Sequence, residues 1–274
     1  MKFLRNDDSD LFSSREARLA AIKNAAPRTE LFQGVANTAA LDSIFKLRFD
    51  VYCKEKNFLP AVDYPECIEY DEYDARAAHI ACYSPDDIIL GCVRLVTPTT
   101  GQDFPFQLHC ATFPDFIAPL RAEAVEISRL MLNKVRRNRQ KDSFLGVPAD
   151  LIGDIDGVIP RQKTTLQLQN SRLAGNQLLL LSMFRAMYQH CKVNGIRYWY
   201  ASMELPLARQ LAGMGFRFTP IGPEASYYGI VTPFIADILF LEEEMQKNSW
   251  ELWQWFSTVL EIPTLQDEYD EMLA

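Results

Sequence analysis

The run Ile88–Val96 restricts the fold more than any other feature, because it sets Arg94 among apolar residues and one glycine. So apolar a segment belongs in a sheet covered on both faces. A guanidinium buried there without a partner costs several kcal/mol. The same conflict arises twice more. Leu41, Ile44 and Phe45 recur at helical spacing, and the stripe continues through Arg48 before Val51 and Tyr52. In Val125–Leu132 the strand-like pattern carries Glu126 and Arg129. The acid-rich stretch Glu69-Tyr-Asp71-Glu-Tyr-Asp74 supplies the missing counter-charges. Its carboxylates repel one another unless cations are near, and arginine's planar fork suits bidentate pairing. The expectation is one network joining Arg48, Arg94 and Arg129 to Glu69, Asp71 and Asp74, with Glu126 beside it. Snorkelling of each charge to solvent is the alternative.

Strand and helix signals alternate along the chain. Thr29–Val35, Ala78–Tyr83, Ile88–Val96, Glu123–Asn133, Ile196–Met203 and Ile235–Leu241 read as strands, with a Ser84-Pro-Asp-Asp87 turn between the second and third. Asn37 fits as the N-cap of a helix to about residue 56. Leu173, Leu180, Phe184, Met187 and Cys191 mark a long helix stopped by Gly195, and Pro206 opens a short one ending at Gly215. This order predicts one α/β domain around a mixed sheet over 28–241, after an extension at 1–27 and before a Trp-rich helical tail at 242–274. Residues 134–171 lack periodicity and read as an insertion.

With a formal net charge of −8, the chain is not expected to bind nucleic acid, which needs a basic face. The start Met-Lys-Phe-Leu-Arg-Asn-Asp-Asp has no apolar core, and no apolar run is long enough to span a bilayer, so a cytoplasmic location is expected. The six cysteines lack paired metal-ligand spacing and three histidines accompany them, so no metal site is expected. His109-Cys110 has the composition of a base and nucleophile, but neighbours on a strand face opposite ways.

The charged residues also carry a family resemblance. Arg48-Phe-Asp-Val-Tyr52 with Phe58 resembles the R-x-x-x-F…W signature of N-acyl-homoserine-lactone (autoinducer) synthases, with Tyr52 for Phe and Phe58 for Trp. Glu69-x-Asp71-x-x-Asp74 matches E-x-D-x-x-D. Gly91-Cys-Val-Arg94-Leu-Val-Thr-Pro-Thr99 resembles G-x-x-R-L-x-P-T with one residue more, Phe113-Pro114 matches F-P, and Glu126-Ile-Ser128-Arg129 matches E-x-S-R. Five such segments in order are far more specific than any one. Residues 134–171 and the tail look more like the acyltransferases associated with PEP-CTERM/exosortase systems, a branch near the N-acyl amino acid synthases.

The resemblance implies a GNAT fold, in which the fourth and fifth strands, here 123–133 and 196–203, splay apart to admit a pantetheine arm. It implies transfer of a long fatty acyl group from an acyl carrier protein thioester to the amine of an amino acid or similar molecule. Arg48, Tyr52, Phe58, Asp71, Asp74, Arg94, Phe113, Ser128 and Arg129 would shape the acceptor pocket. Such a reaction needs an unprotonated amine, a stabilised oxyanion and a leaving thiolate. Glu126 and Glu69 are the catalytic candidates for the proton, Glu126 first because its strand borders the thioester. Backbone N–H groups where that strand opens can hold the oxyanion. No bound cofactor is implied.

The donor is read from two segments. Arg172-Leu-Ala-Gly175-Asn-Gln177 departs from the loop that cradles pyrophosphate in CoA-dependent relatives, which favours carrier protein over CoA. Lys134, Arg136, Arg137, Arg139 and Lys141 offer an acidic carrier protein a docking patch, or form a solvated loop. A CoA-dependent N-acyltransferase and a non-catalytic acyl-thioester or acyl-amide binder are the competing functions. Trp250, Trp253 and Phe256 predict an aromatic stripe on the tail helix, packed on the domain body, with a lid, a dimer contact or peripheral membrane contact as alternatives.

Overall fold

The computed structural model describes residues 16–17, 19–35, 39–99, 101–133 and 171–258, the last stretch without side chains through 175. Strands β1 (Arg28–Gln33), β2 (Ala77–Tyr83), β3 (Ile89–Val96) and β4 (Ala124–Leu132) pair antiparallel in sequence order. β4 then pairs parallel with β5 (Tyr198–Met203), and β5 pairs antiparallel with β8 (Ile230–Asp237). Two short strands, β6 (Thr219–Pro220) and β7 (Ala225–Ser226), pair with β8 and complete an eight-stranded mixed sheet.

The parallel junction decides where a site can form. β4 and β5 are in register from Ala124↔Tyr198 to Ile127↔Ala201, and pairing stops there although both strands continue. The splay expected from the resemblance is therefore present, and it opens at Ser128.

The two sheet faces bury different material. Ala78, Ile80 and Cys82 of β2, Val93 and Leu95 of β3, and Val125 and Ile127 of β4 share one apolar core with helix α2 (Ser171–Val193). Each large side chain buried there contributes ~1.5–3 kcal/mol. That helix is apolar around most of its surface because a further helix covers it. Phe256 of α5 (Trp250–Ser257) meets Tyr188 at 5.9 Å and Phe216 at 5.8 Å, and the Arg185 guanidinium donates to the Trp255 carbonyl at 2.6 Å. The tail helix thus packs on the domain body. Its buried face is Leu252, Trp255 and Phe256, however, and Trp250 and Trp253 are only half-buried, so the three-residue stripe is corrected.

The opposite face is covered by α1 (Ala39–Phe49), which continues as a π-helical stretch over Asp50–Glu55. The wider winding appears as Lys56 N–H donating to the Val51 carbonyl, and such bulges often lie at functional sites. Leu41, Ile44, Phe45 and Arg48 are all buried, as the helical stripe requires.

The predicted last strand, Ile235–Leu241, is shifted. β8 ends at Asp237, whose carboxylate accepts the Leu239 N–H at 3.0 Å and starts α4 (Ile238–Asn248). The short helix is α3 (Leu205–Gly213). Residues 134–170, which contain nearly all of the insertion and the basic patch from Lys134 to Lys141, lie outside the described residues, as does 259–274 of the tail. Among the described residues no helix is long and apolar enough to cross a membrane.

Candidate functional site

Alternation along the strands places His79 of β2, Arg94 of β3 and Glu126 and Ser128 of β4 on the face under α1, with His79 opposite Arg94 and Arg94 opposite Ser128. Strict alternation would send Arg129 to the other face, among Val125 and Ile127. A bulge prevents this. Between Cys92↔Met131 and Arg94↔Ser128, β4 holds one residue more than β3, and Arg129 adopts φ 51°. That conformation costs ~1–3 kcal/mol for a residue with a Cβ. It sets Ser128 and Arg129 side by side on the charged face and returns Leu130 and Leu132 to the apolar core.

The expected ion network is present. Arg48 donates from Nε to Glu69 Oε2 at 2.5 Å and clasps Asp74 through both terminal nitrogens at 2.7 and 3.0 Å. Arg94 Nη1 reaches Asp71 at 2.5 Å and Asp74 at 2.8 Å. Arg129 Nη2 reaches Glu69 at 2.8 Å and Asp71 at 3.0 Å. Each arginine holds two acids and each acid two arginines, so three positive and three negative charges balance. Arg48, Glu69 and Asp74 are fully buried, and Asp71 is the member that reaches solvent. The loop is fixed by its backbone too: Glu69 N–H donates to the Phe45 carbonyl and Asp71 N–H to Asp74 Oδ2 at 2.6 Å. Snorkelling is excluded.

The electrostatics follow. Burial pushes the Glu69 carboxyl up, but Arg48 and Arg129 more than offset it and hold it well below the usual carboxylate range. Burial is likewise outweighed at Asp74 by Arg48 and Arg94. His79 is lowered to about 4 by burial, so it is neutral beside the lattice.

Glu126 lies beside this network and stands apart from its pairs. Its Oε2 accepts the Phe106 N–H at 2.9 Å, and no ion pair to it is formed among the described residues. Burial therefore raises its carboxyl to about 8, with the Phe106 amide and the more distant Arg94 and Arg129 pulling it back only partly. A proton acceptor with such a value is half-titrated near the pH at which a general base works best.

Glu126, Ser128 and Arg129 line a cleft between the diverging β4 and β5. Phe184, Leu207, Leu211 and Phe218 form its apolar walls, and Tyr227 and Tyr228 its rim. Tyr228 lies 5.5 Å from Tyr52 and 6.1 Å from Phe58, and Arg129 sits over Tyr52 at 4.7 Å and Tyr228 at 5.7 Å. Tyr52 and Phe58 thus meet the site as the edge of an aromatic cage around Arg129.

Two expectations are corrected. Phe113 does not line the cleft. It is 41% exposed, and its amide bonds the Ile221 carbonyl. Its loop serves the site through Phe106 instead. The loop is seated by Gly222, where any Cβ would collide with the Ala111 carbonyl. His109-Cys110 lies on a turn rather than a strand. His109 stacks on Tyr227 at 4.1 Å, while Cys110 is buried against Ser202 and its thiol is pushed up by burial, which disfavours a nucleophile. The Arg172–Gln177 segment forms the first turns of α2.

Phe106, Tyr227, Tyr228 and His79 were not expected at the site. Only His79 had a signal, its two-residue phase with Ala81 and Tyr83. No group of potential metal ligands occurs among the described residues.

Comparison with known proteins agrees with this architecture. Residues 47–146 match the family model described as Acetyltransferase (GNAT) domain. The eight-stranded mixed sheet with its parallel β4–β5 junction is the GNAT fold, and the acyltransferase class follows from that domain. BjaI, described as a CoA-dependent acyl-homoserine lactone synthase and solved with MTA, superimposes with a TM-score of 0.52 at 18% identity, over 81% of this chain and 89% of its own. TofI, solved in a ternary complex with an inhibitor and MTA, gives 0.51 at 18% identity, over 78% and 96%. These likenesses are of fold. No curated protein sequence matches the chain.

Proposed function

We propose that the chain transfers a long fatty acyl group from an acyl carrier protein thioester to the amine of an amino acid or a similar small molecule. The observation that carries this is Glu126: a buried carboxyl outside the ion pairs, raised to about 8 by burial, in the lining of an apolar cleft. The walls suit an acyl chain, and the ion lattice beside Glu126 suits a polar acceptor. Ionised Glu126 takes the amine proton, directly or through a water, as nitrogen attacks the thioester carbon. The C–N bond forms, the C–S bond breaks, and the thiolate leaves with the proton Glu126 had taken. Glu69, whose carboxyl is locked between two arginines, is better suited to positioning than to proton transfer. The cytoplasm, where acyl thioesters are made, is the expected location.

A CoA-bound donor is the second reading, favoured by the similarity to BjaI, which is itself CoA-dependent. The test is incubation of the purified chain with octanoyl-CoA or octanoyl acyl carrier protein, each against S-adenosylmethionine and the common amino acids, with amide products read by mass spectrometry. An amide formed by wild type and lost in Glu126→Gln supports the proposal. Tight thioester binding without an amide from any pair would replace it with the binder. The donor that supports the faster transfer decides between the two carriers.

A further inference from the structure

We propose that the Ser128 hydroxyl donates to the thioester carbonyl oxygen as it becomes an oxyanion, held in place for that task by Arg94. This rests on the transferase reading above and assigns a residue to a step left open there.

A guanidinium has no acceptor, so in the 2.9 Å contact between Arg94 Nε and Ser128 Oγ the arginine donates and the serine accepts. The serine proton must then point elsewhere, and no hydrogen bond donated by Ser128 Oγ is formed among the described residues. Ser128 is nevertheless part of the cleft lining. Its O–H is therefore free to turn toward the cleft.

Position makes the donor useful. Ile127↔Ala201 is the last paired position between β4 and β5, so Ser128 is the first β4 residue beyond the fork. Glu126 is two residues earlier on the same face, about 7 Å along the strand. A thioester carbonyl at the fork is thus flanked by the group that takes the amine proton and by a hydroxyl that meets the developing negative charge. Arg94 strengthens that donor by polarising the oxygen, and it is itself fixed by Asp71 and Asp74. This gives the ion lattice a mechanical use: it sets the rotor of one hydroxyl.

The test compares wild type, Ser128→Ala and Ser128→Thr with an octanoyl thioester and the amine that wild type acylates fastest. Ser128→Ala is expected to lower kcat on the order of 100-fold, the usual loss for one oxyanion donor, with KM changed by less than about threefold. Its pH profile should keep the wild-type inflection, because Glu126 is untouched. Ser128→Thr, which keeps the hydroxyl, should recover much of the rate. A kcat for Ser128→Ala within about twofold of wild type overturns the assignment while leaving the transferase intact, as does a loss confined to KM. Absence of transfer by wild type refutes the proposed function itself, a separate outcome. If Ser128→Ala fails to fold by circular dichroism, a Ser128→Cys enzyme matching wild type in kcat overturns the assignment, since a thiol is a poor donor.

Discussion

The two faces of this sheet are buried to a similar depth by opposite means. Under α2 the strands present Ala78, Ile80, Val93, Leu95, Val125 and Ile127, a surface held by apolar burial and close packing. Under α1 the same three strands present His79, Arg94, Glu126, Ser128 and Arg129. The first face degrades gradually, because each lost methylene subtracts a little. The second has no partial form, because a missing partner strands a charge in a dry interior. Burial alone therefore says little about what a face tolerates. What matters is whether its groups need named partners.

The largest expected effect comes from breaking the lattice. Glu69→Ala leaves Arg48 and Arg129 short of a counter-charge and should cost ~3–5 kcal/mol, measured by denaturant unfolding, with activity lost even in the folded fraction. On the apolar face, Leu95→Ala should cost about 2–5 kcal/mol, while Ile80→Val should cost ~0.5–1.5 kcal/mol and leave kcat unchanged. If Glu69→Ala were no worse than Ile80→Val, the contrast between the faces would be lost.

Titration sharpens the contrast, since the charged face contains shifts of both signs. Glu69 and Asp74 are held below their ordinary values, so their stabilisation is present above the usual carboxylate range and is lost as pH falls below it toward their lowered folded-state values. Glu126 runs the other way. Its carboxyl is raised from 4.5 to about 8, so its contribution is complete below the lower value and is lost as pH climbs through the higher. Wild-type stability should therefore decline across that window. Glu126→Gln should abolish the decline and be more stable than wild type by a few kcal/mol at the alkaline end, as read from melts at several pH values. The wild-type kcat/KM for a weakly basic amine should rise with pH, pass its half-maximum near 8 and level off above it. The smallest effect is expected at the tail: Trp250→Ala, which removes a half-buried ring, should change stability by no more than ~1 kcal/mol.

Much of the charged face is legible in the sequence, for a particular reason. Arg48 in a helical apolar stripe and Arg94 in an apolar strand admit few physical solutions, and Glu69–Asp74 offers the counter-charges nearby. Arg129 is legible as a charge but not as to its face, since the bulge that turns it inward leaves no mark such as a glycine. Glu126 is legible as a site residue while its partner is not. Phe106 contributes a backbone N–H, which every non-proline residue possesses, so nothing in its identity announces the role. Tyr228 is far along the chain from Tyr52 and Phe58 and reaches them only through the order of the strands. The start of α4 at Ile238 is hidden in an apolar run, and the capping carboxylate of Asp237 is the clue that separates strand from helix.

The extra residue in β4 sets a counting rule for the whole strand. Upstream of it, even positions such as Glu126 and Ser128 look toward α1. Downstream the parity is inverted, and Met131 joins the α1 side while Leu130 and Leu132 join the α2 side. Removing a single residue at the bulge would restore strict alternation and leave Leu130, Met131 and Leu132 on their present faces, but β4 would then have room for only one of Ser128 and Arg129 on the charged side. The spare position is thus what lets one strand carry two neighbouring polar side chains to the same face, and a deletion there would be felt by the charged face rather than by the apolar core.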